Sequence, residues 1–356
     1  MSPNKTIGIL GGGQLAKMLA TAAADLGFNV NIYCPDTDCP AAQVANKIVF
    51  GNYDDNENLV AFAKNVDVLT YEFENIDTKA LEELDLFVNM RPSVKALKIS
   101  QDRLTEKSYL NSLGIKTTQF YRIDEVSEIE KLFTRLKKPI LIKTRRLGYD
   151  GKGQILVKTL DDINDHFLGE KLCPSIAEEV ISFDRELSVI IVRDKDGNIK
   201  TFEPGENVHK KGILVTTTLP SSTSEVLKND AVTIARKIVA NLDYIGVMGV
   251  EFFLKENELY VNEIAPRVHN SGHWTMDGSY SSQFQQHIRA IMDLPLLSTE
   301  RHSDIIMYNL IGKVTSNLAN NELAKVYVYG KKDTRPGRKM GHINLIKKKG
   351  SKLPFS

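Results

Sequence analysis

Two glutamates, Glu251 and Glu263, carry the strongest chemical signal in this sequence. Glu251 lies in the apolar run Val247-Met248-Gly249-Val250-Glu251-Phe252-Phe253-Leu254, and Glu263 in Leu259-Tyr260-Val261-Asn262-Glu263-Ile264. The polar residues Lys255-Glu256-Asn257-Glu258 separate them. Two such runs around a short polar break predict a β-hairpin. Pairing symmetric about Asn257 sets Glu251 opposite Glu263, with Cβ atoms about 4.5–5.5 Å apart. Carboxylates so close repel unless a proton or a cation sits between them. Mg²⁺ takes oxygen ligands, commonly one or two carboxylates plus substrate phosphates. The blander alternative turns one glutamate to solvent; Phe252, Phe253 and Val261 argue for a buried hairpin.

A second group of residues suits phosphates. Lys143 ends the apolar strand Pro139-Ile140-Leu141-Ile142-Lys143, where a lysine is costly unless an anion meets it. Gly148-Tyr149-Asp150-Gly151-Lys152-Gly153-Gln154 follows, and its glycines let backbone N–H groups approach phosphate oxygens. The loop runs into Ile155-Leu156-Val157 and so joins two strands. It is therefore not the strand-to-helix phosphate loop, and it lacks GxxxxGK[ST]. Glu178-Glu179-Val180-Ile181 closes a later strand and offers a hinge for adenine; Glu186 opens the next and offers an acceptor for ribose hydroxyls. Each of these glutamates alone also reads as a surface residue.

The glycine-rich start leaves two readings open. Gly11-Gly12-Gly13-Gln14-Leu15-Ala16 follows a strand and opens a helix, and GxGxxA there matches a dinucleotide fingerprint, with Asp36 at the place of a ribose-binding acid. A nicotinamide dehydrogenase follows from that reading. The same turn also suits another anion at a helix N-terminus, or close packing alone.

The elements that position these residues change character along the chain. Strand signals at residues 6–10, 30–33, 48–50 and 66–70 alternate with helical spacing, as at 15–26 before Gly27, and predict a parallel sheet with crossover helices. The pattern breaks at Met90-Arg91-Pro92-Ser93, and helices follow near 94–99 and 102–113. From Pro139 the strands become hairpin-like, at 140–143, 154–157, 175–181 and 187–192, with an amphipathic helix over 225–242. A tail from about Pro295 has strand signals at 305–311 and 326–329. The expected boundaries are 1–100, 101–295 and 296–356. A chain of 356 residues is too long for one ordinary core.

A net charge of +1 gives no bulk pull toward nucleic acid or anionic membrane. No apolar run approaches the roughly 20 residues of a membrane span. Cys34, Cys39 and Cys173 form no CxxC pair, which fits a reducing compartment. The first residues run directly into a strand without a leader-like apolar region. Cytoplasmic residence is expected.

Four stretches together resemble a known family: Gly11-Gly12-Gly13-Gln14-Leu15, Arg145-Arg146-Leu147-Gly148-Tyr149-Asp150-Gly151-Lys152-Gly153, Asn262-Glu263-Ile264-Ala265-Pro266-Arg267-Val268-His269-Asn270-Ser271-Gly272-His273-Trp274, and Arg335-Pro336-Gly337-Arg338-Lys339. The third is the most specific. The chain resembles 5-(carboxyamino)imidazole ribonucleotide synthases over nearly its whole length. The resemblance implies an ATP-grasp fold, α/β and α+β: an N-terminal Rossmann-like parallel-sheet domain, a central ATP-grasp domain and a small C-terminal β-rich domain. It implies a homodimer that uses ATP and Mg²⁺ to carboxylate aminoimidazole ribonucleotide with bicarbonate.

By the same resemblance, Arg103, Lys143, the loop Gly148, Tyr149, Asp150, Gly151, Lys152, Gly153 and Gln154, then Glu178, Glu179, Val180, Ile181, Glu186 and His209, contact ATP. Glu251 and Glu263 hold magnesium beside Asn262. Strand alternation turns Asn262 to the other face, so a bulge or a backbone contact is expected there. The ribonucleotide positions are Gln14, Glu72, Tyr149, Asp150, Lys152, Arg267, His269, Asn270, Lys331 and Arg338. Lys143, Tyr149, Asp150, Arg267 and His269 are the expected catalytic residues, with Arg267 on bicarbonate and His269 orienting it or moving a proton. Lysine at 152, where family members can carry arginine, keeps the charge but loses the bidentate fork. Another ATP-grasp ligase shares Lys143, the glycine loop and the glutamate pair. A zinc site on His269 and His273 is disfavoured, because Ser271 and Gly272 between them break a helix and no HExxH glutamate is present.

Overall fold

The computed structural model describes residues 5–148, 152–167, 172–312 and 317–350. Among these residues three sheets form. The first is parallel, in the order β3-β2-β1-β4-β5, from β1 (Thr6–Leu10), β2 (Asn29–Cys34), β3 (Lys47–Phe50), β4 (Val68–Tyr71) and β5 (Asn89–Met90). Its helices are α1 (Gln14–Asp25), α2 (Asn56–Ala63) and α3 (Thr78–Leu84). Helix α1 is alanine-rich, buries Leu15, Ala16, Leu19 and Ala23, and stops where Gly27 takes φ +80°. Two helices then lead out, α4 (Val94–Ser100) and α5 (Arg103–Ser112). Asp102 caps α5, its Oδ1 accepting the N–H groups of Leu104 and Thr105.

The second sheet is antiparallel, in the order β6-β9-β7-β8, from β6 (Phe120–Ile123), β7 (Ile140–Thr144), β8 (Gln154–Val157) and β9 (Ser175–Glu179). Helices α6 (Val126–Leu136) and α7 (Leu160–Phe167) cover it over a core including Ile129, Leu132, Ile140, Ile142 and Ile163. The third sheet holds β10 (Arg185–Arg193), β11 (Ile199–Thr201), β12 (Gly205–Lys210), β13 (Ile213–Leu219), β14 (Gly246–Lys255), β15 (Glu258–Ala265), β16 (Ser303–Ile311), β17 (Ala324–Val328) and β18 (Lys339–Lys348). Its path is β15-β14-β10-β12-β13-β16-β18-β17, with β11 paired to β10. The tail strands therefore extend the central unit's sheet, because β16 pairs with β13. Helices α8 (Glu225–Asn241), α9 (Thr275–Gly278) and α10 (Gln283–Ile291) complete this layer.

The parallel unit packs on this layer through one continuous core, in which Ile7 and Leu19 join Trp274, Phe284 and Ile305. Each fully buried side chain of that size contributes about 1.5–3 kcal/mol. Buried His287 of α10 ties the units together: Nε2 meets Thr70 Oγ1 of β4 at 2.9 Å, and Nδ1 accepts the Val247 N–H at 3.1 Å. Among the described residues no helix is long and apolar enough to cross a membrane.

The β14–β15 hairpin corrects one step of the sequence reasoning. Its turn is Glu256-Asn257, at φ +51° and +65°, the two-residue form favoured in hairpins. From that turn the pairs run Lys255 with Glu258, Leu254 with Leu259, Phe253 with Tyr260 and Phe252 with Val261. The axis thus lies between Glu256 and Asn257, and continuing it would set Glu251 against Asn262. A bulge after Phe252 shifts the register by one residue, and Glu251 meets Glu263.

Candidate active site

Glu251 is 9% exposed, and its Oε1 has no hydrogen-bond partner. Nε2 of His269 stands 3.8 Å from that oxygen. Burial, then the charge of Glu263, pushes the Glu251 carboxyl up to about 7, against the pull of His209. Glu263 is held differently. Burial raises its pKa, but Arg103, whose Nη1 donates to Oε2 at 3.1 Å, and then Lys143 bring it below the ordinary value. One member of the pair is thus charge-balanced and the other has an orphaned oxygen. That arrangement fits a divalent cation between them. Among the described residues no three His, Cys, Asp or Glu side chains gather as a closed metal cage. Two carboxylates would leave the remaining positions of a magnesium ion to phosphates and water.

The expected phosphate-binding residues are positioned by β7 and β9. Lys143 is buried, and the anion it meets is Glu178 Oε2 on the neighbouring strand, at 3.0 Å. Lys107 Nζ approaches the same oxygen to 3.5 Å, and Thr118 Oγ1 donates to it at 2.8 Å. Burial disfavours the Glu178 anion, but Lys143, Lys107 and Thr118 together hold it down to about 2. The Lys143 ammonium is lowered by burial, and Glu178 only partly restores it. One carboxylate thus serves two cations. The Glu178 side chain is therefore turned to the lysines. Glu179 accepts from Tyr121 at 3.2 Å and pairs with Lys138 at 2.5 Å, and Val180 is exposed just beyond β9. A cavity of about 730 Å³ beside Thr118, Glu179, Val180, Ile181 and Tyr260 touches neither Lys143 nor the paired glutamates.

Arg103 joins the glycine loop to the hairpin. Its Nη2 donates to the Gly148 carbonyl at 3.0 Å while Nη1 holds Glu263. The far side of the loop is fixed by the Thr144 N–H to Gly153 O bond of 2.9 Å, with Gly153 at φ +69° and Gln154 paired to Lys143. Lys152 is exposed at the base of the loop. Tyr149, Asp150 and Gly151 lie outside the described residues. Glu186, at the start of β10, accepts from His209 Nδ1 at 2.9 Å. Burial lowers the His209 pKa, but the Glu186 hydrogen bond and the Glu251 charge outweigh it and raise it overall.

The third side comes from the parallel unit. Glu72, just after β4, accepts the Gly13 N–H at 2.7 Å, so the anion at the α1 N-terminus is the protein's own carboxylate. A Cβ at Gly11, which has φ +115°, would stand 2.5 Å from the Glu72 side chain, and one at Gly13 2.7 Å from Glu72 Oε1. A Cβ at Gly12 would meet Cys39 Cβ at 2.6 Å. The glycines make room for Glu72 and the cysteines, which removes the basis of the dinucleotide reading. Asp36 accepts the Asp38 N–H within its own turn. Gln14 sits half-buried at the first position of α1. Burial raises the Glu72 carboxyl, and the Gly13 bond, Arg267 and Lys331 oppose that.

Beyond β15, Arg267 Nε meets Glu74 Oε1 at 2.7 Å and Nη1 donates to Val268 O at 2.9 Å. His269 Nδ1 receives the Ser271 N–H at 3.3 Å and lies 2.8 Å from Ser271 Oγ. Burial, then Arg267 and Lys339, push its pKa down to about 3, so the ring is neutral. With Nδ1 accepting, the hydrogen bonds assign the proton to Nε2, on the Glu251 side. Asn270 and Asn309 of β16 exchange amide hydrogen bonds at 2.9 and 2.7 Å. Lys331 Nζ donates to Lys339 O, and Arg338 Nη1 to Asp333 O, each at 2.9 Å. His273 is fully buried against His342, ring centroids 4.7 Å apart, and so does not share a metal site with His269.

The ribonucleotide synthetase preATP-grasp domain matches residues 4–101, the ATP-grasp domain residues 108–284, and the phosphoribosylaminoimidazole carboxylase C-terminal domain residues 306–353. The N5-carboxyaminoimidazole ribonucleotide synthase of Brucella melitensis is 47% identical over 354 residues, covering 98% of each chain. The chain belongs to the N5-carboxyaminoimidazole ribonucleotide synthase family. The Staphylococcus aureus N5-carboxyaminoimidazole synthetase complexed with ADP superposes with a TM-score of 0.92 at 36% identity, over 96% of this chain and 93% of that one. The Aspergillus clavatus synthase complexed with ADP and 5-aminoimidazole ribonucleotide gives 0.90 at 34%, over 97% and 94%. The fold is ATP-grasp with a parallel N-terminal unit and a C-terminal β-rich segment, as the resemblance implied.

In this member of the family the structure adds residues that sequence reasoning passed over. Glu74 faces Arg267, Asn309 holds Asn270, and Lys339 acts on the charges of Glu251 and His269. Glu106 and Lys107 are buried beside β15. A signal for that last pair exists: they stand four and three residues before Leu110, on the one face of α5 that is buried. Charges at core-facing helix positions call for buried partners.

Proposed function

We propose that this chain joins bicarbonate to the exocyclic amine of 5-aminoimidazole ribonucleotide at the expense of ATP. The products are N5-carboxyaminoimidazole ribonucleotide, ADP and phosphate, within purine biosynthesis. The observation that carries this is the course of the chain through β15 and beyond. It carries Glu263 to Arg103 and the glycine loop, Arg267 to Glu74 of the parallel unit, and His269 to 3.8 Å from Glu251. Nucleotide, carboxyl donor and amine acceptor would share one boundary. The Aspergillus clavatus relative holds ADP and the aminoimidazole ribonucleotide in one complex.

A bicarbonate oxygen attacks the γ-phosphorus and ADP leaves, giving carboxyphosphate. The amine nitrogen then attacks the carboxyl carbon, phosphate leaves, and the nitrogen loses a proton. Lys143 and Arg103 supply fixed positive charge where phosphate charge gathers. Gly148, Lys152, Gly153 and Gln154 frame the phosphates with Tyr149, Asp150 and Gly151. Glu179, Val180 and Ile181 border the adenine, and Glu186 with His209 the ribose. Glu251 and Glu263 would hold Mg²⁺, which supplies Lewis-acid charge at the phosphates. Arg267, braced by Glu74, holds bicarbonate. Neutral His269 donates from Nε2 and orients the carboxyl group; a ring held this far below neutrality is a poor proton acceptor. Gln14, Glu72, Asn270, Lys331 and Arg338 complete the ribonucleotide side, the last two at its 5′-phosphate. A cytoplasmic homodimer is part of the proposal, on the sparse unpaired cysteines and on the family resemblance respectively.

ADP release is measured with bicarbonate and aminoimidazole ribonucleotide, together and singly. Release that needs both, with matching formation of the carboxylated product, is expected. Release indifferent to the ribonucleotide, or driven by another acid and amine, overturns the assignment.

A further inference from the structure

Glu251 and Glu263 face each other only because β15 carries one residue more than the turn requires. Read outward from Glu256-Asn257, the register pairs Phe252 with Val261 and would next pair Glu251 with Asn262. Side chains alternate between faces, so Glu263 would then lie on the sheet face away from Glu251. The bulge prevents this, and Val250 with Ile264 and Gly249 with Ala265 follow the shifted register. A bulge interrupts ladder hydrogen bonds and twists its strand, so it needs support from outside the strand pair.

That support comes from two consecutive residues of α5. Lys107 Nζ donates to the carbonyl of Asn262 at 3.2 Å. Glu106 Oε1 accepts the N–H of Ile264 at 2.6 Å. The backbone on both sides of Glu263 is thus gripped by one helix. Glu106 is 2% and Lys107 1% exposed. Lys107 is further fixed by Thr118 Oγ1 at 3.2 Å and Glu178 Oε2 at 3.5 Å, which ties the bulge to the carboxylate that also holds Lys143. Burying two adjacent ionisable groups on a helix is expensive; burial, then the Glu263 charge, pushes the Glu106 carboxyl up to about 8. A function that depends on the bulge gives that expense a reason.

We propose that Glu106 and Lys107 are positioning residues: by clamping the extra residue of β15 they hold Glu263 opposite Glu251, so that both carboxylates reach one divalent cation. This rests on the proposed magnesium role of the pair. Both side chains are buried against the β15 backbone, where they set the register on which the metal carboxylates depend.

The test measures Mn²⁺ binding to the ADP complex by electron paramagnetic resonance, and ADP binding in EDTA by calorimetry. Glu106→Met and Lys107→Met remove the acceptor and the donor. Glu106→Asp keeps the carboxyl group but shortens the reach, and remains usable if the methionine variants fail to fold. Each is expected to weaken Mn²⁺ binding about tenfold or more, as loss of a group supporting a metal ligand does. ADP affinity in EDTA is expected to stay within about threefold in the Glu106 variants, because that side chain acts on the β15 backbone, whereas Lys107 also meets Glu178 beside Lys143. Glu106→Gln, which keeps an acceptor for the Ile264 N–H, is expected to recover most of the Mn²⁺ affinity. Unchanged Mn²⁺ affinity in Glu106→Asp, or equal loss of ADP binding with and without metal in the Glu106 variants, overturns the positioning role. Failure of the underlying reading looks different: Glu251→Gln would then leave Mn²⁺ binding by the otherwise unaltered protein intact.

Discussion

Replacing Glu178 by glutamine tests the charge balance around Lys143 on the proposed nucleotide side. The carboxylate is buried and serves Lys143 at 3.0 Å, Lys107 at 3.5 Å and Thr118 at 2.8 Å. Burial would raise its pKa, yet these partners bring it from the ordinary 4.5 to about 2. Each tenfold preference for the charged form is worth about 1.4 kcal/mol, so the depression contributes about 3 kcal/mol to the folded state. The folded pKa lies below the unfolded one. The contribution is therefore complete above about pH 4.5 and is lost as pH falls toward 2. Glu178→Gln keeps the shape and an acceptor but leaves two buried ammonium groups without their anion. It is expected to lower stability by about 3 kcal/mol near neutral pH.

The assay is urea unfolding of both proteins in EDTA without nucleotide, followed by far-ultraviolet circular dichroism from about pH 7 to about pH 3.5. The gap between them should hold steady down to about pH 5 and then narrow by about 1.4 kcal/mol for each pH unit below 4.5. A gap under about 1 kcal/mol near neutrality, or one that does not narrow in acid, would refute the reasoning.

Four further outcomes are expected. Glu251→Gln and Glu263→Gln each lower kcat about a hundredfold or more at saturating ATP, with a weakened response in magnesium titrations. Arg267→Ala abolishes formation of the carboxylated ribonucleotide, and near-normal turnover in a product assay counts against its role on bicarbonate. Lys331→Ala and Arg338→Ala raise KM for the ribonucleotide about tenfold and that for ATP no more than about twofold; equal effects in steady-state kinetics contradict a 5′-phosphate contact. Gly13→Ala places a Cβ 2.7 Å from Glu72 Oε1, so it displaces that carboxylate and costs about 1–3 kcal/mol. Thermal melts with KM for the ribonucleotide check it, and a silent substitution would show the Glu72 contact to be dispensable.

Local patterning wrote much of the architecture into the sequence. Alternating strands and helices with short turns dictated the parallel unit, and the two apolar runs around Lys255-Glu256-Asn257-Glu258 dictated the hairpin, because period and turn chemistry act over a few residues. The Asn262 to Trp274 motif was specific enough to point to the family. The tertiary structure decided the rest. The glutamates face each other through a bulge, which no symmetry of the hairpin sequence reveals, since its supports Glu106 and Lys107 come from a distant helix. The glycine turn hosts Glu72 because β4 delivers a carboxylate there, and Lys143 finds Glu178 because β9 lies beside β7. Pattern fixes what each segment becomes. Which charge meets which depends on contacts between segments far apart in the chain, and only packing sets those.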